Sequence, residues 1–241
     1  MNRFVAPDLT LSSREIVLKD SEEVHHAFHV LRVREGDTAE FVSGNGVLAE
    51  GRIVSVGKSR LTAEVVHCAV VEKPGSPSII LACALPKRAK FEMILEKAVE
   101  LGVDGVVPLI TARTEARGAE GGGKDGRYAR VLLNACKQSK RVWFPELYPV
   151  MSMEAAVKKF CVPGAAAFIP WLEGERQHIR DTMPARPPAS IVFFIGPEGD
   201  FTAEEIELAK QCGVKPVSLG NTTLKVDTAA IAVVSFARFF F

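Results

Sequence analysis

From residue 78 onward, short apolar runs alternate with segments of helical periodicity, and this alternation restricts the possible folds more than any other feature. "SIILACAL" (78–85), "DGVVPLI" (104–110), "AAAFIP" (165–170), "IVFFI" (191–195) and "KPVSLG" (215–220) read as buried strands. Between them Phe91, Ile94, Leu95 and Ala98 recur at helical spacing, as do Tyr128, Val131, Leu132, Ala135 and Ser139. Strands that are apolar throughout, rather than at every second position, are buried on both faces. The chain is therefore expected to be α/β, with a parallel sheet covered by helices on both sides. Ligands of such sheets bind beyond the carboxyl ends of the strands. That rule places two loops at the predicted site, "GPEGDF" (196–201) and "LGNTTLKVDTA" (219–229).

The first part of the chain has a different texture. "TAEFVSGNGVLAEGRIVSV" (38–56) alternates on either side of Gly44-Asn45-Gly46, a hairpin signal. "RLTAEVVHCAVV" (60–71) reads as a further strand. The composition changes at "VEKPGSPS" (71–78), a stretch with the character of a linker. The boundaries read from this are a small barrel-like domain over 1–72 and an α/β domain over 73–241. "TEARGAEGGGKDG" (114–126) reads as a flexible loop.

A chain of 241 residues with 47% hydrophobic content can bury a core without covalent staples. The net charge of +1 does not by itself announce nucleic acid. Five cysteines, with no CxxC pair among them, disfavour a zinc site or a disulfide framework and favour a reducing cytoplasm. His25 and His29 have i,i+4 spacing but no third ligand, so no metal is expected. Neither a signal peptide nor a membrane span is expected. The apolar end, "AAIAVVSFARFFF", reads as a helix buried in a core or a subunit interface.

Both glycine loops lack the phosphate-binding patterns G-x-x-x-x-G-K-[ST] and G-x-G-x-x-G. A phosphate at the first would meet Glu198 and Asp200, whose charges oppose it. The local reading is that Gly196 and Gly199 permit the turn, Thr202 caps the next helix and Glu205 completes a capping box. Two strand–glycine–helix junctions suit instead a neutral or cationic ligand gripped by backbone groups. S-adenosylmethionine, with an adenine ring, a sulfonium cation and no phosphate, has that chemistry.

"FFIGPEGDFTAEEIELAKQCG" followed by "VSLGNTTLKVDTAAIA" resembles the C-terminal signature of SPOUT-class methyltransferases. Within that class it is similar to the ribosomal small-subunit RNA uridine-N3 methyltransferase family, whose pattern is near I-G-P-E-G-G-F…L-G-x-R-I-L-R-x-E-T-A. "EKAVELGVDGVVPLITART", "NACKQSKRVWFPEL" and "HHAFHVLRVREGD" extend the resemblance over most of the chain, in order. The resemblance implies a PUA-like RNA-binding barrel followed by a SPOUT domain with a deep trefoil knot. It also implies a homodimer through that domain, bound S-adenosylmethionine, and 16S rRNA or the small ribosomal subunit as partner. Asp200 stands where the family has a second glycine, Thr222 and Lys225 where it has arginines, and Asp227 where it has glutamate.

Methylation of uridine N3 requires loss of the imide proton and alignment of the nitrogen with the methyl group, on a single-stranded or flipped base. The candidates for this chemistry are Glu198, Asp227 and Arg141. Glu198 would orient the cofactor or take the proton, or else merely hold the turn; Asp227 would serve the site or cap the last helix. Ile195, Gly196, Gly199, Leu219, Gly220 and Leu224 are the expected cofactor contacts. Phosphates need cations, and residues 113–141 carry eight basic against three acidic residues. Arg113 and Arg127 come from that region as expected RNA contacts, and the resemblance implies Gln138, His29, Arg32 and Lys225 as further ones. Three alternatives remain: a SPOUT methyltransferase with another RNA target, a binding protein without catalysis and, disfavoured by the missing phosphate motifs, a nucleotide-binding α/β protein.

Overall fold

The computed structural model describes residues 1–73, 75, 77–86, 88–114 and 126–241. The glycine-rich stretch read as a flexible loop falls almost entirely within 115–125, outside the described residues, together with Arg117 and Lys124. Pro74 and Ser76 of the linker-like stretch also lie outside them. The chain divides into two units: Met1–Pro74 with Cys136–Phe144, and Gly75–Ala135 with Pro145–Phe241.

The first unit is built on strands β1 (Asn2–Val5), β2 (Glu15–Leu18), β3 (Thr38–Val42), β4 (Val47–Val56) and β5 (Leu61–Val70). They form one sheet in the order β1-β3-β4-β5-β2. β3 and β4 pair antiparallel around the predicted hairpin, and β1 adds to β3 in parallel. Two register shifts along the β4–β5 ribbon are the irregularities that bend a long hairpin. The core is Phe4, Leu18, Val24, Phe41, Ile53 and Leu61 with smaller residues between them. Asp20 caps helix α1 (Ser21–His25), accepting from the Glu22 and Glu23 amides at 2.9 Å, and a π-helical turn (His26–Val30) follows.

Residues 136–144 join this unit through pairings that no local pattern announces. Gly46 N–H donates to the Val142 carbonyl at 3.2 Å and Phe144 N–H to the Gly44 carbonyl at 2.8 Å. Trp143 Nε1 donates to the Val71 carbonyl at 2.9 Å. Lys137 pairs with the buried carboxylate of Glu23, which also accepts from Val5 N–H at 3.1 Å.

The second unit has strands β6 (Ser78–Ala84), β7 (Gly105–Ile110), β8 (Glu146–Leu147), β9 (Met151–Ser152), β10 (Ala165–Pro170), β11 (Gln177–His178), β12 (Ser190–Ile195) and β13 (Lys215–Ser218). Their order is β11-β13-β10-β12-β6-β7-β8, with β9 also on β7, and the pairings between these strands are parallel. The helices are α2 (Arg88–Glu100), α3 (Arg127–Gln138), α4 (Met153–Phe160), α5 (Ile179–Thr182), α6 (Ala203–Gln211) and α7 (Val226–Phe240). α4 and α6 bury Met153, Val157, Phe160 and Ile206 against Ile80, Val107, Val192 and Phe194. α2 packs on α7, and α7 packs on β6 and β12. Phe193 and Phe194, adjacent in sequence, are both fully buried, as a strand covered on both faces requires. The stripe read on α2 is interior, with Phe91, Ile94, Leu95 and Ala98 almost completely buried; of the second, Tyr128, Leu132 and Ala135 are buried on α3, whereas Val131 is half-buried and Ser139, also half-buried, lies just beyond the helix.

The C-terminal apolar run forms α7, with Val226, Ala230, Val233, Val234 and Ala237 buried and Phe239 exposed at its end. Among the described residues no helix is long and apolar enough to cross a membrane. The cysteines are free thiols; Cys83 and Cys136 are fully buried and the other three are partly exposed. Burial pushes the Cys136 thiol up to about 12 and the Cys161 thiol to about 11, so both stay protonated at neutral pH.

Candidate functional site

Three neighbouring strands of the second unit, β12, β10 and β13, end at one cavity. Pro170 ends β10, Ile195 ends β12, and Val217 and Ser218 end β13; all four line it. Its volume is ≈ 260 Å³. One wall is the β12–α6 turn with Gly196, Pro197, Glu198 and Asp200. A second is the β13–α7 loop, from Leu219 and Gly220 through Thr222, Thr223, Leu224 and Lys225 to Val226 on α7. A third is the β10–β11 loop, with Trp171, Leu172 and Arg176.

The two glycine junctions have distinct reasons for their glycines. A Cβ on Gly196 would stand 3.0 Å from the Phe201 ring, which is buried beneath the turn. Gly220 has φ of 132°, a conformation that side-chain-bearing residues rarely adopt. Ser218 Oγ closes the β13 end by accepting from Gly220 N–H at 3.2 Å.

The acids of the first turn explain why it is not a phosphate cradle. Thr202 and Glu205 form the predicted capping box on α6: Thr202 N–H donates to Glu205 Oε2 at 2.9 Å and Glu205 N–H to Thr202 Oγ1 at 3.3 Å. Glu205 Oε1 also accepts from Ala112 N–H at 2.8 Å, and Asp200 Oδ1 accepts from Phe201 N–H at 2.8 Å. The amides of Phe201, Thr202 and Glu205 at this helix start are thus engaged by the chain's own oxygens, and an anion would have to compete with them.

The expected cofactor contacts Ile195, Gly196, Leu219, Gly220 and Leu224 all line the cavity. Gly199 sits between two lining residues, and its carbonyl accepts from the Arg113 guanidinium at 2.6 Å. Arg113, expected on RNA, is thereby held against the turn. Glu198 lines the cavity and pairs with Lys90 at 3.1 Å. Lys225 lines it too, at the N-cap of α7. Asp227 is in the first turn of α7 with one carboxylate oxygen buried and without a hydrogen-bond partner. Arg127 is bound to Glu92, with Nε 2.6 Å from Oε1. His29, Arg32, Gln138 and Arg141 belong to the first unit. His29 is exposed, its ring 4.6 Å from that of His25; Arg32 is exposed with φ of 51°. Gln138 ends α3, and Arg141 Nε donates to the Trp143 carbonyl at 3.0 Å. Sequence reasoning did not identify Trp171, Leu172 and Arg176, whose loop carries no motif.

A flat ring with apolar neighbours and a charged, phosphate-free tail fits this lining. Trp171, Leu172, Ile195, Leu219 and Leu224 supply apolar surface, glycine backbone is open on two sides, and Glu198, Asp200, Arg176 and Lys225 supply both signs of charge. Among the described residues no cluster of His, Cys, Asp or Glu could hold a metal ion.

Comparison with known proteins agrees with this geometry. An RNA methyltransferase domain model matches residues 73–238 and an RNA methyltransferase PUA domain model matches residues 18–66. The ribosomal RNA small subunit methyltransferase E of Mycobacterium bovis is 30% identical over 219 residues, covering 89% of this chain and 83% of that protein. The chain belongs to the ribosomal RNA small subunit methyltransferase E family. The crystal structure of such an enzyme from Neisseria gonorrhoeae, bound to S-adenosylmethionine, superposes with a TM-score of 0.89 at 27% identity, covering 100% of this chain and 98% of that one. A putative methyltransferase from Legionella pneumophila, in complex with the same cofactor, gives 0.86 at 28% identity over 99% and 97% of the two chains. This chain thus has an α/β domain with a parallel sheet and an N-terminal PUA domain, in a fold shared with these two solved structures.

Proposed function

We propose that this protein uses S-adenosylmethionine to methylate N3 of a uridine in the 16S rRNA of the small ribosomal subunit. The observation that carries the reading is the cavity at the ends of β10, β12 and β13, framed by two glycine junctions, the first of which lines it with the acids Glu198 and Asp200. The cofactor supplies a methyl group on a cationic sulfur. Ile195, Leu219 and Leu224 would flank its flat ring, and the backbone at Gly196, Gly199 and Gly220 would approach it without side-chain obstruction. Glu198 and Asp200 tolerate a cation there, since opposite charges at short range favour each other.

The imide of uridine must lose its N3 proton to react, and the base must be unpaired to present that atom. Glu198 is assigned to orienting the cofactor or receiving the proton, with Lys90 fixing its carboxylate. Asp227, with its unpartnered buried oxygen, is the second acidic candidate. RNA phosphates would be met by His29, Arg32, Arg113, Arg127, Gln138 and Lys225. The family resemblance further implies a trefoil knot in the C-terminal domain, 1–72 as the PUA-like domain and 73–241 as the methyltransferase domain. It also implies a cytoplasmic homodimer through the latter, with Arg141 serving catalysis. A dimer would cover the exposed Phe239 and Phe240 at the end of α7.

Transfer of tritium from labelled cofactor to undermethylated small subunits tests the reaction. Glu198→Ala and Asp227→Ala are expected to lower transfer at least tenfold. Wild-type transfer in both variants would remove these residues from the chemistry, and no transfer by the folded wild-type protein would remove the function.

A further inference from the structure

Asp200 occupies a backbone conformation that costs something to hold. Its φ is 60°, in the left-handed region where glycine is the unstrained residue and aspartate is merely tolerated. Such conformations persist where the surroundings give them a use. Here both carboxylate oxygens are engaged. Oδ1 accepts from its own neighbour Phe201 N–H at 2.8 Å, and Oδ2 accepts from Leu172 N–H at 3.1 Å, twenty-eight positions away in sequence.

Leu172 lies in the loop that forms the third wall of the cavity. The loop leaves β10 with Trp171 N–H donating to the Val217 carbonyl at 3.2 Å. The Trp171 ring folds over Gly174, where an added Cβ would come within 2.4 Å of it. Arg176 donates to the Gly174 carbonyl at 3.3 Å. From Leu172 to Gln177 every residue is exposed, and Leu172 itself, 52% exposed, lines the cavity. A wall made of an exposed loop is only as well placed as its anchors, and the Asp200 carboxylate anchors it to the β12–α6 turn.

We propose that Asp200 is a positioning residue. Its carboxylate holds the Trp171–Arg176 loop over the cavity, and so sets affinity for the cofactor rather than the rate of transfer. The proposal rests on the S-adenosylmethionine reading of the cavity. A ligand that needs this wall would otherwise have to order it on binding, and pre-organisation removes that cost. Glycine at 200 would relieve the backbone and release the loop.

The test compares wild type, Asp200→Gly and Asp200→Asn by amide hydrogen exchange without ligand, by calorimetry with S-adenosylmethionine, and by steady-state transfer. In Asp200→Gly the Leu172 amide is expected to lose protection, while thermal stability is equal to or above wild type. Its Kd and KM for the cofactor are expected to rise about tenfold, with kcat at saturating cofactor within twofold. Asp200→Asn tolerates the same backbone but offers one acceptor oxygen where two amides donate, so its cofactor affinity is expected to follow the protection of the Leu172 amide. Unchanged affinity in Asp200→Gly overturns the proposal while leaving the cofactor reading intact. So does an Asn variant whose Leu172 amide keeps its protection but whose affinity is as weak as that of the Gly variant, because charge rather than the tie to Leu172 would then set affinity. A wild type that binds no S-adenosylmethionine overturns the cofactor reading, and this proposal with it.

Discussion

Gly46 shows how one residue can satisfy a local and a distant demand together. Its φ of 102° serves the β3–β4 turn, and its missing side chain leaves room for Trp143, whose Cζ2 would lie 2.4 Å from an added Cβ. Left-handed strain and steric overlap each cost about 1–3 kcal/mol. Gly46→Ala is therefore expected to destabilise the first unit by about 2–4 kcal/mol, read from urea unfolding monitored by Trp143 fluorescence; wild-type stability would contradict the seating of that ring. The turn was legible in the sequence because Gly-Asn-Gly is a local signal. The tryptophan was not, because nothing near Gly46 records a partner almost a hundred residues away. Arg127 is a similar case: its charge was legible, but its bidentate contact with Glu92 is set by how α2 and α3 pack. Asp200 could be recognised as a departure from the family pattern, but not as the acceptor for Leu172.

At the scale of elements, α6 begins where the sequence places it because its cap is entirely local. Thr202 and Glu205 lie three positions apart, and each satisfies an amide that the helix leaves unpaired. Replacing Thr202 with alanine removes the hydroxyl acceptor for Glu205 N–H and is expected to cost ~1 kcal/mol, a fall of about 2–4 °C in Tm for a chain of this size. An unchanged Tm in a calorimetric scan would show that the cap contributes nothing. The parallel strands were legible for a related reason: burial on both faces writes itself into each strand as a continuous apolar run. The edge strands β8, β9 and β11, two residues each, leave no such record. The β10–β11 loop was missed as a cavity wall because its residues are exposed and follow no period.

On the scale of the whole molecule, the order of elements carries the function. β12 comes late in the chain but pairs with both β10 and β6 near the middle of the sheet, which brings the two C-terminal glycine junctions to one end of it. The general rule for open parallel sheets then locates a ligand there. The first unit is assembled from the N-terminal strands and the returning segment 136–144, which carries Gln138 and Arg141. A boundary drawn from composition alone at residue 72 does not contain that segment. We propose that this chain places a methyl group on one uridine of 16S rRNA. The most direct test is mass-spectrometric mapping of methylated uridines in 16S rRNA from cells with and without the protein. One N3-methyluridine is expected to disappear without the protein and to return when the wild-type chain is restored; identical maps from the two strains would rule out this activity.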